Sequence, residues 1–246
     1  MLRLKPGREK SLRHRHPWIF SGAIATADAP GEPGDTVDVL TADGAWVARA
    51  AYSPSSQIRA RVWTFDSREP VDAGFFLRRV ARAVAARRPM LDAQHTGCRL
   101  IHGEADGLPG VVADRYADTI VLQLSSAGAE RWGDAIVAAL VEATGAACVF
   151  ERSDVEVRKL EGLPSRVGVR HGALPEVVRF VEAGIAYRAD VVAGQKTGFY
   201  LDQRANRDAV RALAAGREVL NAFCYTGGFA LAALAGGATR VVSIDS

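Results

Sequence analysis

Two stretches near the end of the 246-residue chain combine hydrogen-bonding side chains with glycines at spacings that suit a small-molecule site. The later one runs Glu218-Val-Leu-Asn-Ala-Phe-Cys-Tyr-Thr-Gly-Gly-Phe229, continues through an alanine-rich segment to Gly236-Gly237, and ends in Arg240-Val-Val-Ser-Ile-Asp245. Strand, glycine turn, helix, strand and acid, in that order, form the layout of a nucleotide-binding βαβ unit. The turn's N–H groups and the helix N-terminus face the ligand, and the acid accepts hydrogen bonds from ribose hydroxyls. Asp245 follows Gly228 by 17 residues, close to the roughly 20 expected of a ribose-binding acid. The earlier stretch is Gly194-Gln-Lys-Thr-Gly-Phe-Tyr-Leu-Asp-Gln-Arg204. It lacks the glycine spacing of a phosphate-binding P-loop. A hairpin exit running into a capped helix accounts for part of it, and a ligand contact accounts for its density of polar side chains.

The elements that must position these stretches follow from pattern and punctuation. Residues 202–215 predict a helix with Asp202 as cap, Val210 and Leu213 facing inward, and Gly216 as stop. Residues 177–181 and 185–192 predict a hairpin over Glu182-Ala-Gly184. In the first third, strands are expected over 36–40, 45–52 and 58–65, the first two joined across Asp43-Gly44, which together argue for a small β barrel. Ahead of them, Ser11 to Phe20 mixes basic side chains with Trp18 and Phe20. These aromatics either fill the barrel core or stay outside as an RNA contact. Between lies an α+β region: a helix over 71–89 capped by Asp72, a hairpin of 111–116 and 119–124, a helix over 129–144 stopped by Gly145, a strand over 147–151, and a short helix capped at Ser153-Asp154.

Composition bounds the partners. Hydrophobic residues make up 48% and charged residues 24%, an ordinary globular balance, and the net charge is only +3. The first 20 residues, however, hold six cations against Glu9 alone, and residues 73–91 hold five arginines without an acid. Such clusters favour phosphate backbones or form solvated faces. Cys98, Cys148 and Cys224 form no CxxC pair, which argues against a disulfide framework and suits a reducing, cytoplasmic setting. No apolar run approaches a membrane span. His102, Glu104 and Asp106 alternate within five residues, but turn chemistry explains them and no metal is expected.

The paired motifs Gly194 to Arg204 and Leu220 to Phe229 resemble the RlmI-type class I S-adenosylmethionine-dependent methyltransferases, which make 5-methylcytosine in large-subunit ribosomal RNA. The resemblance covers the whole chain. It implies a multidomain protein: a β-rich PUA-like RNA-binding barrel over 1–70, a central α+β domain over 71–175, and an α/β Rossmann-like methyltransferase domain beginning at 176. It further implies S-adenosylmethionine as cofactor. Asn221, Phe223, Tyr225, Thr226 and Gly227 would wrap the methionine end and the sulfonium. Asp245 would hold the ribose, while Gln195, Lys196, Thr197, Phe199 and Arg204 would close the site. Leu12 to Phe20 would face RNA, through Arg13, His14, Arg15, His16 and Trp18. Asn221 stands where many class I methyltransferases carry an acid. The missing GxGxxG agrees, because this cofactor has no pyrophosphate to approach.

Family members continue past this point with an Asp-Pro-Pro motif and a cysteine-bearing motif. Cytosine C5 is a poor nucleophile until a thiolate adds at C6, so a positioned cysteine is required. Cys224 falls in the cofactor turn, and Cys98 and Cys148 fall in the middle domain. The expectation is therefore a C-terminally truncated chain, inactive alone, whose nucleophile lies beyond residue 246 and whose unfinished sheet edge favours a homodimer. The competing expectations are a non-catalytic RNA-binding protein and an NAD-dependent oxidoreductase.

Overall fold

A computed structural model describes residues 1–27 and 31–245. Packing divides the chain into two compact units: residues 1–88, 100–114 and 118–174 in the first, and residues 89–99, 115–117 and 175–246 in the second.

The first unit begins with six short strands: β1 (Leu2–Leu4), β2 (Trp18–Phe20), β3 (Ile24–Ala27), β4 (Thr36–Leu40), β5 (Trp46–Tyr52) and β6 (Ile58–Thr64). They form one sheet in the order β2-β6-β5-β4-β1-β3, with β1 and β4 parallel. One helical turn, α1 (Lys10–Arg13), adds Leu12 to a core of Leu2, Leu4, Ile19, Val39 and Val62. The Asp43-Gly44 signal marks a real reversal, but the loop is longer than the two-residue turn expected. Thr41 N donates to Ala45 O at 2.8 Å, and Gly44 takes φ +91°. A left-handed glycine closing a three-residue loop is a common hairpin solution.

The remainder of the first unit holds α2 (Ala73–Arg87), β7 (Gly97–His102), β8 (Val111–Tyr116), β9 (Thr119–Leu124), α3 (Ala127–Arg131), α4 (Gly133–Thr144), β10 (Cys148–Ser153), α5 (Val157–Leu160) and β11 (Arg166–Gly172), except that residues 97–99 of β7 and 115–116 of β8 belong to the second unit. Its sheet runs β11-β10-β9-β8-β7. Asp72 caps α2 as expected, accepting from Phe75 N at 2.8 Å. The single helix expected over 129–144 is broken at Trp132, and Ser126 caps its first half through Ala129 N. Ser153 is not a cap. It ends β10, where its hydroxyl accepts from Leu124 N and donates to Glu151. Trp63, Phe75, Phe76 and Trp132 pack edge-on or tilted, with centroids 4.9–6.2 Å apart. Gly128 lets α3 lie against this cluster, because a Cβ there would sit 2.9 Å from Trp63 Cζ2. Gly128→Ala is expected to destabilise this unit by about 1–3 kcal/mol through overpacking. Urea unfolding followed by tryptophan fluorescence checks it.

The second unit carries β12 (Val178–Glu182), β13 (Ile185–Ala189), α6 (Arg204–Leu213), β14 (Glu218–Ala222), α7 (Gly228–Ala235) and β15 (Arg240–Ile244). The β12–β13 hairpin closes through Ala183 and Gly184, both left-handed, as a two-residue turn requires. Strands β14 and β15 pair in parallel, Glu218 with Arg240 through Ala222 with Ile244, joined by α7. The core is aromatic: Phe180, Tyr187 and Phe199 lie with centroids 5.0–5.4 Å apart.

Two expectations for α6 fail. Asp202 does not cap it; a 3-10 turn over Leu201–Gln203 intervenes, and the Asp202 carboxylate accepts from Lys196 Nζ at 2.9 Å. Leu213 is exposed rather than inward. The inward stripe is basic: Arg204, Arg207 and Arg211, three and four residues apart, reach the Gly97 carbonyl, the Glu182 carboxylate and the Ala183 carbonyl of their own unit. Among the described residues no helix is long and apolar enough to cross a membrane.

Candidate functional site

Strand β14 ends at Ala222, and the chain turns through Phe223-Cys-Tyr-Thr-Gly227 into α7. Phe223 and Tyr225 both adopt φ near +50°, and Gly227 takes +80°. Six non-glycine residues have positive φ among the described ones: Arg15, Ala117, Ala183, Lys196, Phe223 and Tyr225. Ala117 and Ala183 sit in two-residue hairpin turns. The other four fall in the stretches singled out for ligand contact, and strain of this kind concentrates at functional sites.

The two motifs meet. Gln195 N donates to Tyr225 Oη at 2.8 Å, the Tyr200 hydroxyl donates to Gln195 Oε1, and the rings of Tyr200 and Tyr225 lie edge-to-face at 5.6 Å. Gly194 permits this approach, since a Cβ there would come within 2.7 Å of the Tyr225 hydroxyl. From the end of β15, Asp245 Oδ2 accepts from Tyr225 N at 2.6 Å, so the acid also braces the glycine turn.

Between these segments, wholly inside the second unit, lies a cavity of about 420 Å³, within the usual range for small-ligand sites. Of the expected cofactor residues, Gln195, Phe199, Phe223, Tyr225, Thr226 and Asp245 line it. Gly227 is the left-handed residue that starts α7. The rest stand nearby in other roles. Lys196 pairs with Asp202 and lies 4.6 Å over the Tyr200 ring; its hydrogen bond holds the Asp202 carboxyl below the usual range. Buried Thr197 shares a 2.9 Å hydrogen bond with the Tyr116 hydroxyl. Arg204 donates to the carbonyls of Gly97 and Met90. Asn221 holds its Nδ2 buried without a partner among the described residues. A buried amide donor in that state calls for an acceptor. Tyr200, Gln203, Arg207, Cys224 and Phe229 also line the cavity; all but Arg207 fall within the two motifs, and none was among the expected cofactor contacts.

The expected RNA segment is laid out differently. Ile19 is buried at 2% exposure, whereas Trp18 at 36% and Phe20 at 49% face outward, which decides between core and surface. His16, Trp18 and Phe20 stack edge-to-face at 5.9 and 6.4 Å. Arg13, His14 and Arg15 are exposed beside them. The Trp18 indole N–H donates to Glu104 at 2.7 Å, and Asp106 is chelated by Arg87 at 2.6 and 2.9 Å, which occupies two of the three residues considered for a metal. The arginine run on α2 is largely consumed internally, with Arg79 on Glu69 and Arg87 on Asp106.

Of the cysteines, Cys98 and Cys148 are buried, and burial pushes the Cys148 thiol up, away from the reactive thiolate. Cys224 lines the cavity.

Comparison with known proteins agrees with both halves of this layout. Residues 2–65 match the model of a PUA-like domain, and residues 164–246 match that of an S-adenosylmethionine-dependent methyltransferase. The chain is 52% identical to ribosomal RNA large subunit methyltransferase I of Shewanella frigidimarina and 51% identical to that of Aliivibrio fischeri. These alignments cover 99% and 98% of this chain but 62% of each relative. The chain thus spans less than two thirds of the curated relatives it matches. Among solved structures, a methyltransferase from Streptococcus mutans superposes with a TM-score of 0.80 at 24% identity, over 99% of this chain and 62% of that one. Another, crystallised with SAH, gives 0.82 at 24% identity, over 100% and 63%. These two share the fold. The cavity's size and its carboxylate at the strand end fit a cofactor that carries ribose hydroxyls.

Proposed function

We propose, for a chain whose residues 2–65 match the PUA-like domain model and whose residues 164–246 match the S-adenosylmethionine-dependent methyltransferase model, the role of cofactor- and RNA-binding part of a large-subunit ribosomal RNA cytosine-5 methyltransferase. The observation that carries the reading is the joining of the two motifs around one cavity by Gln195, Tyr200, Tyr225 and Asp245. S-adenosylmethionine, when bound, supplies an electrophilic methyl group. Asp245 accepts from the ribose, Tyr225 and Thr226 wrap the turn around the sulfur end, and Asn221 satisfies its amide on the ligand. Gln195, Lys196, Thr197, Phe199 and Arg204 close the wall, with Lys196, Thr197 and Arg204 acting through the neighbours they hold. Residues 1–70 take the RNA-binding role, 71–175 the central one, and 176–246 the cofactor-binding one. The protein works in the cytoplasm as a ribosomal RNA enzyme and pairs as a homodimer.

None of the three cysteines meets the needs of C6 addition: two are buried, and Cys224 lies in the cofactor turn. The 246-residue chain is therefore expected to bind cofactor and RNA but to form no 5-methylcytosine. The full-length gene product is expected to form it in large-subunit ribosomal RNA. Methyl-transfer assays on both decide this: no product from the full-length protein, or robust turnover by the 246-residue chain, contradicts the proposal.

RNA contact by the basic-aromatic segment gives a separate test. Replacing Arg13 and Arg15 together with alanine is expected to reduce the slope of log affinity against log salt by about 1.4, as two single-strand phosphate contacts would. Trp18→Ala is expected to cost about 1–3 kcal/mol with the slope unchanged. Filter binding on ribosomal RNA fragments across a salt series separates the two. Equal slopes for the wild-type chain and the arginine variant would remove this segment from the RNA interface.

A further inference from the structure

Only two charged side chains line the cofactor cavity among the described residues, Asp245 and Arg207. A guanidinium is a poor neighbour for a sulfonium ion, since two positive charges in a partly dehydrated site repel over many ångströms. Yet Arg207 is held there firmly. It is 3% exposed, its ring-facing side lies 4.7 Å from the Phe199 centroid, and Nη2 donates to Tyr200 O at 3.0 Å. Behind it, Glu182 at 2% exposure accepts from Nε at 2.5 Å and from Nη2 at 3.0 Å, a bidentate pair. The same carboxylate lies 3.5 Å from Arg204 Nε.

We propose that Glu182 and Arg207 form a positioning pair in which Arg207 shapes the cavity wall through Phe199 and Tyr200, while Glu182 neutralises it so that the site accepts a positively charged cofactor. This rests on the S-adenosylmethionine reading above and adds charge selectivity to it. Glu182 sits on β12, 25 residues from Arg207, outside both motifs, so neither motif accounts for it. Arg207 has structural value that an apolar residue would not replace, because it satisfies the Tyr200 carbonyl and stacks on aromatic faces at once. Its charge is the drawback that Glu182 removes.

The consequence is a difference between two ligands that share every contact except a methyl group and a charge. S-adenosylmethionine carries the sulfonium; S-adenosylhomocysteine is a neutral thioether. Isothermal titration of the 246-residue chain with each ligand measures the ratio of their affinities. In Glu182→Gln, which keeps the shape, the ratio is expected to move against S-adenosylmethionine by about tenfold. In Arg207→Gln, which leaves Glu182 undercompensated, it is expected to move the other way. The double variant is expected to return within about twofold of the starting ratio, the mark of a coupled pair. A purely structural role weakens both ligands by one factor in each variant. A ratio constant within about twofold across the singles, which is less than 0.5 kcal/mol, overturns the proposal and leaves the cofactor reading standing. A wild-type chain that binds neither ligand overturns the cofactor reading and this proposal with it. Thermal melts identify any variant that does not fold. If Glu182→Gln is one, the opposite shift in Arg207→Gln and its reversal in the double variant still decide the matter.

Discussion

Glu161→Ala is expected to lower the stability of the first unit by about 3–5 kcal/mol, the cost of leaving a buried charge without its partner. Glu161 is 2% exposed and gathers three donors: Arg61 Nη1 at 2.7 Å, Ser53 Oγ at 2.9 Å and Ala127 N at 3.2 Å. Arg61 and Ser53 come from the β5–β6 region and Ala127 from the start of α3, so one carboxylate ties the six-stranded sheet to the helical part of its unit. Removing it strands Arg61, itself 6% exposed. All four tryptophans (Trp18, Trp46, Trp63 and Trp132) lie in this unit. Fluorescence-detected urea unfolding therefore reads the first unit without contribution from the second. Arg61→Met in the Glu161→Ala background is expected to recover part of the loss, because an apolar residue needs no counter-charge. A loss below about 1 kcal/mol for the single variant would place Glu161 among ordinary surface-like pairs.

The same cluster marks where the sequence stops being legible. The strands Thr36–Leu40, Val111–Tyr116, Thr119–Leu124 and Arg240–Ile244 lie where alternation and turn residues put them, because period and punctuation are local signals. Strands β1, β2 and β3 have three or four residues each, too few for any period to register, and β11 is exposed along most of its length. In the site, Tyr225, Thr226 and Asp245 were legible because turn, helix start and strand-end acid occupy fixed places in a βαβ unit. Arg207 was not. Its burial depends on an acid 25 residues earlier, and apolar periodicity cannot register a helix whose inward stripe is arginine. The same blindness put Leu213 inside, where it is 69% exposed. Arg204 shows the converse: a cation beside a ligand motif reads as a ligand contact, and its guanidinium donates to two backbone carbonyls, a tie that no local pattern announces.

Asp245→Ala is expected to weaken S-adenosylmethionine binding by about 100-fold, since hydrogen bonds to a charged group contribute about 1.5–3 kcal/mol each and the ribose presents two hydroxyls. Two effects combine. The ribose loses its acceptor, and Tyr225 N loses the carboxylate that fixes the left-handed turn at 2.6 Å. The turn effect reaches further, because the Tyr225 hydroxyl is what Gln195 N donates to across the cavity. Asp245→Asn keeps one acceptor oxygen and is expected to fall between, at about tenfold. Adenosine alone, which carries the ribose but no sulfur or amino-acid tail, is expected to lose affinity in Asp245→Ala as well. Asn221→Ala, aimed at the other end, is expected to leave adenosine unchanged while weakening S-adenosylmethionine. Here both S-adenosylmethionine and S-adenosylhomocysteine fall together, unlike the charge-dependent split expected at Glu182, so the ribose contact and the neutralising pair are separable in one titration series. An Asp245→Ala chain that binds S-adenosylmethionine within about threefold of the wild-type chain, under 1 kcal/mol, would place the ribose elsewhere in the cavity.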